Sequence, residues 1–130
     1  MAEEHYAEIR ERSGDFRVEF KGTILAKSES VQELQEYHPS YAFPPVLYFP
    51  QSSLRFDQME KSDRETSCPI KGKAAYWNLS KPEAVENLVW SYPNPLTSVP
   101  QLKDHYAFDS SKVEIFRDGA KVEHRPIRKR

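Results

Sequence analysis

With 130 residues and a net charge of −1, the chain is sized for one domain and has no global bias toward nucleic acid or an anionic membrane. Hydrophobic content is low (38%) and charged content high (30%), but a 12% aromatic share supplies large side chains for a core and argues against disorder away from the ends. The single cysteine excludes an internal disulfide, and no apolar run approaches the ~18 residues of a membrane span. The acidic start, Met1 to Tyr6, lacks the basic and apolar regions of a secretion signal, so the expected compartment is the cytoplasm.

Residues 2–12 hold good helix formers, with Glu8 and Arg12 spaced i,i+4 and Ser13-Gly14 as a stop, which predicts a helix or arm over 1–15. Phe16-Arg17-Val18-Glu19-Phe20 alternates as a half-buried strand. Lys21-Gly22 then turns the chain into Thr23-Ile24-Leu25-Ala26, a hairpin candidate. Nine prolines from Pro39 to Pro100 leave little room for a long helix.

Val46-Leu47-Tyr48-Phe49 reads as a buried strand closed by Pro50, and residues 52–65 suit one or two helical turns anchored by Leu54, Phe56 and Met59. Residues 73–79 alternate as a strand, and Pro82 to Trp90 reads as a helical turn after Ser80 that then straightens. Val113-Glu114-Ile115-Phe116 meets Asp118-Gly119, a pair suited to a tight turn, and Ala120-Lys121-Val122 returns. These elements predict a mainly β, single compact domain over 16–123 with one or two short helices, followed by a basic tail over 124–130 that frays.

The densest chemistry lies in Thr66-Ser67-Cys68-Pro69-Ile70-Lys71-Gly72-Lys73-Ala74-Ala75-Tyr76-Trp77. That run resembles the signature of the bacterial and fungal domain of unknown function numbered 427, which some catalogues label nucleotidyltransferase-like. Phe20-Lys21-Gly22 with Ala26 and Ser28, then Glu36, Pro44-Pro45-Val46, Tyr48 and Pro50, are similar to further elements of that family. So are Ser62-Asp63, Asn87, Trp90-Ser91-Tyr92, Pro95 and Ala107-Phe108, and the likeness spans about residues 16 to 118. Asp104, Asp109 and the basic tail depart from the family pattern. The resemblance implies several coiled antiparallel sheets of the Mss4-like class and no established activity. The chain holds no Gly-Ser motif on a helix followed by the paired carboxylates that would hold two metal ions for phosphoryl transfer.

Several chemistries compete for the central turn. Cys68 would serve as a nucleophile if Lys71 lowered its pKa and His105 acted as base; otherwise it is a small apolar residue in a turn. Lys71 beside Gly72 would bring an amine and a backbone N–H to an anion; otherwise Gly72 supplies a positive φ and Lys71 pairs with a carboxylate such as Glu36 or Asp63. Tyr48, Tyr76, Trp90 and Tyr92 would wall a cleft or fill the core, with Tyr76 and Trp77 on opposite strand faces and Trp90 and Tyr92 on the same one. Four scattered histidines and one cysteine fall short of a tetrahedral metal site, so neither a metal nor a cofactor is expected.

The reading that fits these residues is a pocket for a small anionic or planar metabolite. Glu36, Tyr48, Arg55, Thr66, Lys71, Gly72, Tyr76, Trp90 and Tyr92 would form it, with Lys71 and Arg55 holding negative charge. Two other classes fit the same chain: a non-enzymatic interaction module or homodimer, and a thiol enzyme centred on Cys68. Nucleic acid and membrane are not expected partners, and the chain would act as a monomer or homodimer.

Overall fold

Residue alternation with period two, the pattern of a strand with one face buried, runs through most of the chain. In the computed structural model, which describes residues 5–130, it produces eleven strands and three single-turn 3-10 helices. Strands β1 (Tyr6–Phe20) and β2 (Thr23–Tyr37) make a long hairpin on Lys21-Gly22, both at positive φ (48° and 86°) as a tight hairpin turn requires. The short β3 (Tyr41–Ala42) and then β4 (Val46–Pro50) follow. Two 3-10 turns, Gln51–Ser53 and Phe56–Gln58, lead into β5 (Met59–Cys68). Strands β6 (Gly72–Leu79) and β7 (Val85–Ser91) complete a meander, and a third turn, Pro100–Leu102, precedes β8 (His105–Phe108). The chain ends with β9 (Glu114–Arg117), β10 (Ala120–Val122) and β11 (Arg128–Lys129).

Every pairing is antiparallel, along one path β10-β9-β1-β2-β4-β8-β7-β6-β5, with β3 attached to β2 and β11 attached to β3. The mainly β reading therefore holds, as one continuous sheet, and among the described residues the helical content is confined to 3-10 turns. Among the described residues, no helix is long and apolar enough to cross a membrane.

Strand β4 joins the two halves of the path. Its residues 46–48 pair with β2, whereas Phe49 and Pro50 pair with β8. Its alternation also serves both cores. Leu47 and Phe49 enter a cluster with Phe16, Val18, Leu25, Val31, Leu88 and Phe108. Val46 and Tyr48 enter a second cluster with Leu34, Tyr92, Val99, Leu102 and Ala107. A fully buried side chain of this size contributes about 1.5–3 kcal/mol, so the two clusters carry most of the fold's driving force.

Where a helix or arm was expected over residues 1–15, the chain forms the first half of β1 from Tyr6 onward; residues 1–4 lie outside the described part. Helix propensity is a weak preference, and here the ladder from Tyr6–Tyr37 to Ser13–Ser30 wins because it packs Ala7 and Ile9 onto the second cluster. A register shift between Ser13 and Phe16 then turns β1 so that Phe16, Val18 and Phe20 face the first cluster. The backbone freed at that bulge is satisfied from the β9–β10 turn. Arg117 Nη2 donates to the Ser13 carbonyl (3.0 Å), and the Asp15 N–H donates to Asp118 Oδ1 (2.8 Å).

Residues 81–83 form a bend rather than the expected helical turn, and strand structure resumes at Val85. The tail also departs from expectation. Arg128 and Lys129 pair with Ala42 and Tyr41, and the Arg130 Nε donates to the carbonyls of His38 and Tyr41 (3.1 Å each).

Candidate functional site

Strands β2, β4, β6 and β7 direct one face of side chains toward the second cluster, and the outer part of that face is an open cleft of about 720 Å³. This volume is in the range of small-molecule sites. Glu36, Tyr48, Lys71, Tyr76, Trp90 and Tyr92 all line it. Alternation explains the set: Tyr48 follows Val46 on β4, Tyr92 follows Trp90 past the end of β7, and Tyr76 faces the cleft while Trp77 packs on Phe56 and Tyr106 opposite.

Lys71 reaches the cleft from the turn between β5 and β6. The Leu96 N–H donates to the Lys71 carbonyl (3.1 Å), which ties that turn to the loop after β7. Gly72 follows at φ 112°, and a Cβ there would stand 3.2 Å from the Asn94 carbonyl oxygen. Gly72 is thus a structural residue of the turn and lies outside the cleft lining. From this braced turn the Lys71 Nζ donates to Glu36 Oε1 (2.9 Å), while Glu36 Oε2 lies 2.5 Å from His5 Nε2. Both side chains of the Lys71–Glu36 pair are shielded, at 13% and 10% exposure.

Burial acts to raise the Glu36 pKa, but the His5 hydrogen bond and the Lys71 charge outweigh it and hold the carboxyl below its ordinary value. Burial likewise works against the Lys71 ammonium, and the oxygens of Tyr48, Tyr92 and Glu36 more than offset it, raising its pKa. Lys71 is therefore a permanent cation, suited to hold charge and unsuited to act as a neutral amine nucleophile. Its Nζ also stands 5.6 Å from the Tyr92 ring centre. Burial raises the pKa of both Tyr48 and Tyr92, so these phenols remain neutral hydrogen-bonding groups. The Trp90 Nε1–H donates to Tyr48 Oη (3.2 Å), and Thr66 Oγ1 shares a hydrogen bond with Tyr76 Oη (2.8 Å), which fixes two ring orientations.

Arg55 does not join the site. The two 3-10 turns after β4 take Leu54 and Phe56 into the first cluster, and Arg55 sits exposed beside Asp57, 3.3 Å away. Arg64 lines the cleft instead, with its guanidinium carbon 5.0 Å from the Tyr76 ring centre. Alternation on β5 was the available signal, since Arg64 stands two residues before Thr66. Among the described residues, neither Arg64 nor Arg125, another lining residue, has an ion-pair partner.

Asn87 shapes the wall from the backbone. It adopts φ 53° at a register shift between β6 and β7, its N–H donates to Asn78 Oδ1 (2.8 Å), and its side chain accepts from Ser62 Oγ (2.6 Å).

Cys68 and His105 do not form a dyad. Cys68 is on β5 and His105 on β8, with β6 and β7 between them, so about three strand spacings of ~4.8 Å separate their strands. His105 Nδ1 is engaged with the Lys103 carbonyl at 2.8 Å, and Cys68 packs against the second cluster. Among the described residues, no group of three or more His, Cys, Asp or Glu side chains is arranged to hold a metal ion.

No curated protein matches this sequence. A family model described as "Domain of unknown function (DUF427)" matches residues 8–119, a span that contains all but the first two residues of the hairpin, together with β4, the central turn, the Asn87-to-Tyr92 wall and β9. With most of its length matched, the chain belongs to the DUF427 family.

Proposed function

We propose that this protein is a cytosolic binding domain whose cleft takes a small planar, anionic metabolite. One observation carries the reading: Lys71, Arg64 and the rings of Tyr76, Trp90 and Tyr92 converge on one solvent-reachable cleft. Four cationic side chains line it against three carboxylates, and the guanidiniums of Arg64 and Arg125, without an ion-pair partner among the described residues, are the groups that would meet an anion. Arg64, stacked on Tyr76, would present its planar fork bidentately to a carboxylate or phosphate. The aromatic walls would hold a flat body, and Lys71, its charge fixed by Glu36, would supply its remaining donors.

A thermal-shift screen against nucleotides, sugar phosphates and aromatic carboxylates tests the reading. Ligand at ~100 times its dissociation constant adds about 2.7 kcal/mol of stability. The shift should disappear in Arg64→Ala; a shift that survives it would place the ligand elsewhere.

A second reading rests on the open end of the β1–β2 hairpin. Tyr6 stacks on Tyr37 at 4.8 Å, and His38 packs on Tyr41 at 5.1 Å, with Tyr6 and Tyr41 43% and 40% exposed. This patch would serve a homodimer or protein contact. Sedimentation equilibrium of the native chain against Tyr41→Ser measures it, and a concentration-independent monomer in both would count against it.

A further inference from the structure

Beside the cleft lies a second chamber of about 230 Å³, closed more tightly by its walls. Phe16, Leu47, Phe108 and Ile115 bring it to the edge of the first cluster, and Val122 forms part of its rim on β10. Its charged residues include the Arg12–Glu33 ion pair (2.8 Å) and Arg117. An apolar cavity of ~150 Å³ admits a benzene-sized molecule, so this chamber, larger and with charged residues among its mainly apolar walls, has room for a somewhat larger hydrocarbon group.

The two spaces share a wall. Pro44, Val46, Trp90, Ser110 and Arg125 line both. The tail that follows β10 runs along the boundary: Glu123 belongs to the apolar chamber, His124 and Pro126 to the cleft, and Arg125 to both. That segment is fixed at its far end by the β11–β3 pairing and near its start by the 2.7 Å contact of His124 Nδ1 with Ser110 Oγ.

We infer that cleft and chamber are two halves of one site for an amphiphilic acid. Its anionic head would lie beside Lys71 and Arg64, and its apolar tail would pass Val46 and Trp90 into the chamber under the strap of residues 123–127. The inference rests on the anion-binding reading of the cleft and adds the apolar half of the ligand. Val122, 40% exposed on an edge strand, is apolar surface that such a tail would cover.

The test uses Trp90 as reporter, since it lines both spaces. In Trp77→Phe, which leaves Trp90 as the single tryptophan, n-alkyl carboxylates from acetate to decanoate are titrated by fluorescence, with the matching neutral 1-alkanols in parallel. The expected result is binding that tightens roughly fourfold per methylene and then reaches a plateau when the chamber is full. Val122→Trp should plug the rim and abolish the chain-length gain while acetate still binds. Ile115→Val, a milder change inside the chamber, should move the plateau to a longer chain.

Carboxylate affinity that is independent of chain length overturns the inference and leaves the anion-binding reading standing. A gain that never reaches a plateau and survives Val122→Trp signifies detergent-like adsorption and also overturns it. Alkanols that bind with a plateau where no carboxylate binds would support the chamber and fail the anion reading. No binding in either series overturns both.

Discussion

Lys71 and Glu36, thirty-five residues apart in sequence, meet at 2.9 Å with both side chains shielded from solvent, and this contact ties the central turn to the long hairpin. Such a pair is a weak source of net stability but costly to break on one side only. Lys71→Met leaves Glu36 with His5 as its remaining partner, and the expected loss is ~3 kcal/mol, the lower end for a broken buried pair. The double variant Lys71→Met with Glu36→Gln should recover at least half of that loss. Urea unfolding measures both, and additive losses would show that the two groups do not act as a pair.

The same contact sets an acid limit. Glu36 has a folded pKa below its ordinary 4.5, so as pH falls the unfolded chain takes up this proton first. Its contribution is complete above pH 4.5 and is lost as pH falls through the lower folded value. Lys71, raised above 10.5, adds no titration between these limits. Stability against pH should therefore drop less steeply below pH 4.5 in Glu36→Gln than in the native chain. Parallel curves would assign the acid transition to other carboxyls.

Gly72→Ala probes the turn without touching the cleft. A Cβ at φ 112° is strained, and it would press on the Asn94 carbonyl at 3.2 Å, backbone that cannot swing aside. We expect a loss of ~1–3 kcal/mol in chemical denaturation, from strain at a special backbone conformation. An unchanged midpoint would mean that the β5–β6 turn and the loop after β7 can move apart.

Cys68 is expected to be dispensable for binding. Its strand is separated from His105 by β6 and β7, and it packs against Ala74, Tyr92 and their neighbours. Cys68→Ala should cost under ~1.5 kcal/mol, the range of a small core truncation, and leave any ligand affinity unchanged. Iodoacetamide should label the native thiol no faster than free cysteine. Rapid labelling together with lost affinity would return the thiol to the centre of the chemistry.

Much of this architecture was legible because strand alternation and turn residues are local signals. Phe16 to Ala26, Val46 to Pro50, residues 73–79 and the Asp118-Gly119 hairpin could all be read that way. Residues 6–13 were not legible, because their helix-forming side chains become a strand only when β2 supplies partners from Tyr37 back to Ser30. The site divides on similar lines. Tyr48, Tyr76, Trp90 and Tyr92 followed from alternation, whereas the cleft wall holds Arg64 and not Arg55, because the 3-10 turn Phe56–Gln58 redirects the chain between them. The wall formed by residues 124–127 depends on the β11–β3 pairing of two residues, which no periodicity announces.

The most direct test of the cleft uses the two tryptophans as an internal comparison. Trp90 lines the cleft with its Nε1–H on Tyr48, and Trp77 lies on the opposite face against Phe56 and Tyr106. In an NH-correlation NMR titration with any planar acid that stabilises the protein, the Trp90 indole signal should shift progressively and that of Trp77 should stay in place. A stabilising ligand that moves Trp77 and leaves Trp90 unchanged would contradict the account.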